Sequence, residues 1–342
     1  MNSANSAIGK GLRVVAIGGG TGLSTLLKGL KWYVPSPAAP LPGSSPWISE
    51  LSGIVTVSDD GGSSGRLRKE FNMLPPGDVR NCIVALSEDE ALLSRLFQHR
   101  FQKGDGLEGH SFGNLFLAAL TSITGDFAEA VRLSAEILST RGHIFPATTS
   151  NVELEALMQD GSRVRGETNI TAGKVGIREL FLVPPDAEPL PQTLQAIAQA
   201  DLITIGPGSL FTSLIPNLLV RGVKQAIADS AATKVFVCNL MTQANESLGL
   251  SAADHILALN QHAHSRIWDY ALINSTPVSP EMKAKYALEG ATQIENDLDR
   301  VEALGVHPVL GDYLGDGPVA RHDTARVSID LMQLATRVTT EA

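Results

Sequence analysis

Short apolar runs alternate with longer stretches of helical spacing along most of this chain. Arg13–Ile17 reads as a buried strand, and Leu23–Trp32 as a helix with its apolar residues on one face. Gly53–Val57, Asp201–Ile205, Lys234–Cys238, Arg266–Ile273 and Val306–Leu310 are further strand candidates. Between them the spacing predicts helices over Asp78–Leu86, Ser87–Arg100, a buried one from Ser111 through Ile123, Phe127–Ser139, Leu194–Ala200 and Ser251–Ala263. One more starts near Glu281, and a last one runs from Asp323 to about Ala335. This alternation predicts an α/β fold: a Rossmann-like, mostly parallel sheet with helices on both faces. The middle is different. Ile144–Val183 holds short strands, and Asp160-Gly161 between two of them signals a hairpin, so a small antiparallel β excursion is expected at 144–183. Arg163 and Arg165 alternate there on what reads as a solvated face. The organisation expected is a flexible lead-in at 1–11, one domain over 12–336 with a Pro-rich surface loop at 34–47, and a tail at 337–342.

Candidate chemistry sits where strands run into helices. Ile17–Ser24 (I-G-G-G-T-G-L-S) places Gly19, Gly20, Thr21 and Gly22 in a strand-to-helix turn. Glycine leaves no Cβ between backbone and ligand, and the free amides of a helix start attract anions. The turn reads as a phosphate cradle, with an empty tight turn as the alternative. It is not a P-loop, which needs a Lys after its second conserved Gly. Nor is it a dinucleotide fingerprint, because Leu23 stands where Gly or Ala is needed. A third strand leads into Gly206-Pro207-Gly208-Ser209, a similar turn.

After the second strand, Asp59 and Asp60 open another glycine-rich loop. They suit Mg²⁺, a ribose or an acceptor substrate, and equally an Asx turn with a helix cap. Arg80 and Asn81 follow a stiff Pro-Pro-Gly approach to a helix for which Asp78 is a cap candidate. His110 precedes the N-cap candidate Ser111, with Asn114 in the next turn; His110 suits either an anion or a structural role. Asn239 and Thr242 carry the groups to read a base or sugar edge. Arg321 suits a diphosphate clamp or a protein carboxylate, and Asp323 an N-cap.

Composition narrows the partners. A length of 342 residues with 43% hydrophobic content suits one large or two smaller globular domains. A net charge of −9 argues against nucleic acid. Cys82 and Cys238 lack paired spacing and lie in apolar runs, which predicts buried thiols in a reducing compartment. The N-terminal residues lack a signal-peptide pattern and no apolar run reaches about 18 residues, so a cytoplasmic chain without a transmembrane segment is expected.

Seven motifs occur in order: I-G-G-G-T-G-L-S, V-S-D-D-G-G-S-S-G-R-L-R, P-P-G-D-V-R-N-C, G-H-S-F-G-N-L, I-G-P-G-S-L-F-T-S-L-I-P-N, V-C-N-L-M-T-Q and R-H-D-T. The set resembles the YvcK-type gluconeogenesis factors of the CofD-like family, from about Leu12 to Leu334. The Pro/Ser-rich stretch around Pro35–Pro46 departs from the pattern as a loop insertion. The resemblance implies a protein tied to growth on gluconeogenic carbon and to cell shape, binding a UDP-sugar such as UDP-N-acetylglucosamine. The transferase branch of the same family moves a phospholactyl-type group from a guanosine-diphosphate donor with Mg²⁺. On this resemblance Thr21 and Gly22 meet the phosphates, Gly208 and Ser209 complete the cradle, and Asn239 and Thr242 read the uridine or sugar. Arg321 neutralises diphosphate charge, and Asp59 and Asp60 match the acceptor and metal loop. Whether a reaction is catalysed stays open. A homo-oligomer and a cell-wall synthesis protein as partner are further expectations.

Overall fold

A computed structural model describes residues 11–36, 47–88 and 92–341, with side chains through 336. The core is a parallel seven-stranded sheet in the order β10-β9-β8-β7-β1-β2-β3. Its strands are β1 (Leu12–Gly18), β2 (Ile48–Val55), β3 (His143–Pro146), β7 (Leu202–Ile205), β8 (Thr233–Val237), β9 (Tyr270–Asn274) and β10 (His307–Gly311). Two apolar clusters cover its two faces: Ile17, Ile54, Ile203 and Phe236 belong to one, Val14, Val55, Leu202 and Val235 to the other. Strands buried on both sides read as unbroken apolar runs, which is why the sequence marks them so clearly.

The chain lays β2 and β3 on one side of β1 and then returns to lay β7 on the other. The strand order therefore reverses between β1 and β7. Crevices at the carboxyl ends of strands, at such a reversal, are where α/β sheets bind ligands. The helices that flank this end are α1 (Gly20–Leu30), α2 (Gly62–Phe71) and α3 (Gly77–Leu86). Next in the chain are α4 (Leu92–Gln98), α5 (Phe112–Thr124) and α6 (Phe127–Ile137).

The antiparallel excursion is present but starts later than expected. β3 belongs to the main sheet and pairs in parallel with β2 through Ser52–Val55. The separate three-stranded sheet, β5-β4-β6, comprises β4 (Glu153–Met158), β5 (Arg163–Arg165) and β6 (Ile177–Val183). The Asp160-Gly161 hairpin joins β4 to β5, where Arg163 pairs with Glu155 and Arg165 with Glu153 on an exposed face. The short helix α7 (Glu167–Ala172) follows β5.

Other differences are local. α5 is not buried along its length: Leu117 and Ala118 are, but Ile123 is 79% exposed. Among the described residues between Leu86 and Arg100, the helix covers Leu92–Gln98. The last helix continues beyond Ala335 as far as Glu341, so the expected tail is helical in its backbone. The lead-in at 1–10 and the Pro-rich loop at 37–46 lie outside the described residues. Cys82 and Cys238 are buried free thiols.

The two glycine turns fit only because they lack side chains. A Cβ on Gly22 would collide with the Pro207 carbonyl, a backbone group that cannot move aside. At Gly18 the nearest atom would be 3.4 Å from such a Cβ, an ordinary contact. Gly22→Ala is expected to lower the unfolding free energy by about 3 kcal/mol and Gly18→Ala by less than about 1 kcal/mol, measured by denaturant unfolding.

Candidate functional site

At the sheet reversal, the turn after β1 packs directly on the turn after β7. The space at Gly19 is bounded by Thr56, Asp78 and Ser213, so no side chain fits there either. The Thr56 amide donates to Gly18 O at 2.9 Å, which ties the loop after β2 to the same place. The first amides of α1, from Gly20 to Gly22, have no acceptor within the helix. Asn239, at the end of β8, brackets the second turn: its Nδ2 donates to Gly208 O at 2.8 Å and its Oδ1 accepts from Gly208 N at 3.2 Å. The Thr21 turn and Asn239 thus border one crevice, although 218 positions separate them in sequence (239 − 21).

Beside the crevice lies a cleft of about 280 Å³, walled by Gly208, Ser209, Asn239, Thr242, Tyr286 and His322 among others. Much of its polar wall is already engaged. Thr242 Oγ1 donates to Thr292 O at 3.2 Å and accepts from Thr292 N at 2.8 Å. Gln243 Nε2 donates to Ser209 Oγ at 2.8 Å. Asn239 and Thr242 therefore shape the wall, with only spare acceptor capacity left for a ligand. His322 donates from Nε2 to Cys238 O at 3.0 Å, and burial holds its pKa down to about 4, so it is neutral. Arg321 is exposed and is not part of the cleft wall; its neighbour His322 is.

The crevice is edged by carboxylates. Asp78 does not cap its own helix: the N-cap position of α3 is Pro76, and the Asp78 carboxyl faces the Gly19–Gly20 turn. Burial raises its pKa to about 6, helped by Asp59 and opposed by the Gly20 amide and Arg80. Glu167 is raised to about 9, by burial first and then by Asp59, Asp78, Glu246 and Asp60. Glu246 accepts from the Phe211 and Thr212 amides, both at 2.8 Å, so the helix start after β7 already holds a carboxyl group. Asp59 Oδ1 accepts from Gly61 N at 2.9 Å, an Asx turn. Asp60 Oδ1 accepts from Thr168 N at 2.9 Å and Thr168 Oγ1 at 2.6 Å, which pins the loop to α7. Among the described residues no three His, Cys, Asp or Glu side chains are grouped to hold a metal ion alone.

Asn81, His110 and Asn114 form a second cluster with Ser63, Arg80 and Ser111, and their hydrogen bonds run to one another. Ser111 is the N-cap expected: its Oγ accepts from Asn114 N at 3.3 Å. Asp323 likewise caps the last helix through Ala325 N at 3.0 Å. Asp78 facing the turn, Glu167 and Glu246 are the site features that sequence reasoning missed. Nothing local marks them, because they approach the crevice from distant segments.

A family model described as 2-phospho-L-lactate transferase CofD matches residues 14–314. The chain belongs to the CofD family. Among its relatives, a gluconeogenesis factor from Halalkalibacterium halodurans is 48% identical over 94% of this chain and 95% of its own length. One from Bacillus subtilis is 45% identical over 96% and 99%. A crystal structure of a Bacillus halodurans protein, 47% identical, superposes with a TM-score of 0.88 over 94% of this chain and all of that one. A second structure from that organism, described as a member of the UPF0052 family, matches equally well. The CofD-family fold is thus shared along the chain, and six of the seven motifs quoted above fall within residues 14–314, with R-H-D-T at 321–324 just beyond them. Among the described residues no helix is long and apolar enough to cross a membrane.

Raised carboxylate pKa values mean that the folded state binds protons the unfolded chain has already lost. Stability from Glu167 is full below its ordinary range near 4.5 and falls away as pH rises through about 9. The ligand-free protein is expected to melt at a higher temperature at pH 5.5 than at pH 8.5 on this account. Glu167→Gln should raise the melting temperature at pH 8.5 and flatten the dependence.

Proposed function

We propose that this CofD-family member is a nucleotide-sugar-binding regulatory protein. A UDP-sugar of the UDP-N-acetylglucosamine type lies across the strand reversal. Its diphosphate meets the amides of Thr21 and Gly22, and its uridine enters the cleft beside Asn239 and Tyr286. The observation that carries this reading is the contact between the β1 and β7 turns with a nucleoside-sized cleft next to it. Asp78 gives the site a means of response. Its carboxyl sits at the Gly20 amide, so an incoming diphosphate must displace or neutralise it. Two states with different affinity for the ligand are what a sensor needs. The relatives' name, gluconeogenesis factor, supports an output in growth on gluconeogenic carbon. Control of cell shape through a cell-wall synthesis protein, and homo-oligomerisation, belong to the same proposal.

A second reading, a Mg²⁺-dependent transferase acting on a nucleoside-diphosphate donor, draws on the carboxylates around the crevice. Mg²⁺ is commonly held by one or two carboxylates with phosphate oxygens and water, so the absence of a ready protein cage is no obstacle. Asp59 fits: one oxygen is engaged by Gly61 and the other is left for a ligand. Asp60 fits less well, since one of its oxygens already accepts two hydrogen bonds from Thr168. A bound cation would offset charge on the phosphates there.

UDP-N-acetylglucosamine at about 100 times Kd is expected to stabilise the fold by about 2.7 kcal/mol in a thermal melt, and Asn239→Ala to weaken binding roughly tenfold. No shift with any UDP-sugar would remove the regulator reading. Product formed from a nucleoside-diphosphate donor, and lost in Asp59→Asn with binding intact, would favour the transferase.

A further inference from the structure

The N-termini of three helices meet around Ser63, Arg80 and Ser111, with Asp78 between this cluster and the Gly19–Gly20 turn. Ser63, in the first turn of α2, is 2.9 Å from His110 Nδ1 and accepts from Asn114 Nδ2, in the first turn of α5, at 3.1 Å. Arg80, in the first turn of α3, donates Nη1 to the Oγ of Ser111, the N-cap of α5, at 2.5 Å. These helices have 10, 10 and 13 residues. Each presents the positive end of its dipole, although at α5 the Phe112 amide already donates to His99 O and the Asn114 amide to Ser111 Oγ.

Three guanidinium groups flank the segment from Glu108 to Ser111. Arg66 Nη2 donates to Glu108 O at 2.7 Å, Arg100 Nη1 to Gly109 O at 2.5 Å, and Arg80 Nη2 to Asn81 Oδ1 at 2.5 Å. Their acceptors are carbonyl, hydroxyl and amide oxygens, and among the described residues no carboxylate pairs with any of the three. The acids that act on the cluster are Asp78, which faces the α1 turn, and Glu70, opposite His110. In a chain of net charge −9, this leaves local positive charge uncompensated.

Among the described residues, two polar atoms of the cluster have no partner: Arg80 Nε, a donor, and Asn114 Oδ1, an acceptor. Their side chains belong to residues only 8% and 2% exposed. Buried polar groups are nearly always satisfied, and a guanidinium N–H is best satisfied by an anionic oxygen. Ser63 Oγ accepts from Asn114 Nδ2 and also meets His110 Nδ1 at 2.9 Å; when the hydroxyl donates to Nδ1, the His110 Nε2–H is a further donor. Gly113 keeps the wall thin: a Cβ there would lie 2.6 Å from Arg80 Cδ.

We propose that Arg66, Arg80, Arg100, Ser63, His110 and Asn114 form a second anion site, for the phosphoryl group of a small co-ligand. Three guanidinium groups and three helix starts supply more donors than the two oxygens of a carboxylate accept, which favours phosphate. The site stands on its own observations and does not require the nucleotide-sugar reading.

The test is a melting scan in inorganic phosphate against chloride and acetate at equal ionic strength. It uses the wild type and the double variant Arg66→Ala/Arg100→Ala, whose two altered side chains are exposed. Phosphate at about 100 times Kd is expected to raise the wild-type melting temperature by about 4 °C and to leave the variant unmoved. No wild-type shift overturns the proposal. So does a shift kept in full by the variant, which would locate phosphate at the glycine turns instead. An equal shift with acetate overturns the choice of phosphoryl group. Binding of UDP-sugars is read separately, so either proposal can fail while the other stands.

Discussion

The architecture at the functional end depends on one backbone-to-backbone approach: the start of α1 resting on the Pro207 carbonyl across the strand reversal. Only glycine at position 22 permits it, and only glycine at 19 leaves room for Thr56, Asp78 and Ser213 around the same turn. Once those turns touch, their amides and carbonyls face a shared crevice, and every neighbouring loop is positioned relative to it. Asn239 then acts as a clasp on Gly208, holding the second turn against the first.

That crevice combines opposed fields. The open amides of α1 attract anions, yet Asp78 already occupies their edge, and Glu246 fills the corresponding place after β7. Glu167 is pressed among Asp59, Asp60, Asp78 and Glu246, strongly enough to keep it protonated near neutral pH. A site built this way is under electrostatic strain when empty. It is relieved by protons or by a cation, and an anionic ligand must arrive with one of these or displace a carboxylate. Such tension clusters where function sits.

Much of the fold was legible in the chain because its strands are buried on both faces and read as apolar runs bounded by glycine turns. The three glycine-rich loops were visible for the same reason. What local pattern does not carry is contact between distant segments. β3 looked like the start of the antiparallel excursion, because four apolar-leaning residues do not declare which sheet they join. Asp78 looked like a helix cap, since residue type favours that, but Pro76 takes the position and the carboxyl faces a turn nearly 60 residues earlier. Glu167 and Glu246 carried no local signal at all. The charge of Arg321 suits a diphosphate, whereas in the fold its side chain is exposed and His322 lines the cleft.

The central claim is that two turns far apart in sequence grip one diphosphate. Amide NMR of the isotope-labelled protein, titrated with UDP, reads both turns at once. The account predicts that the amides of Thr21 and Gly22 and that of Gly208 shift together, with a single common Kd. Shifts confined to one turn, or to neither, would contradict it.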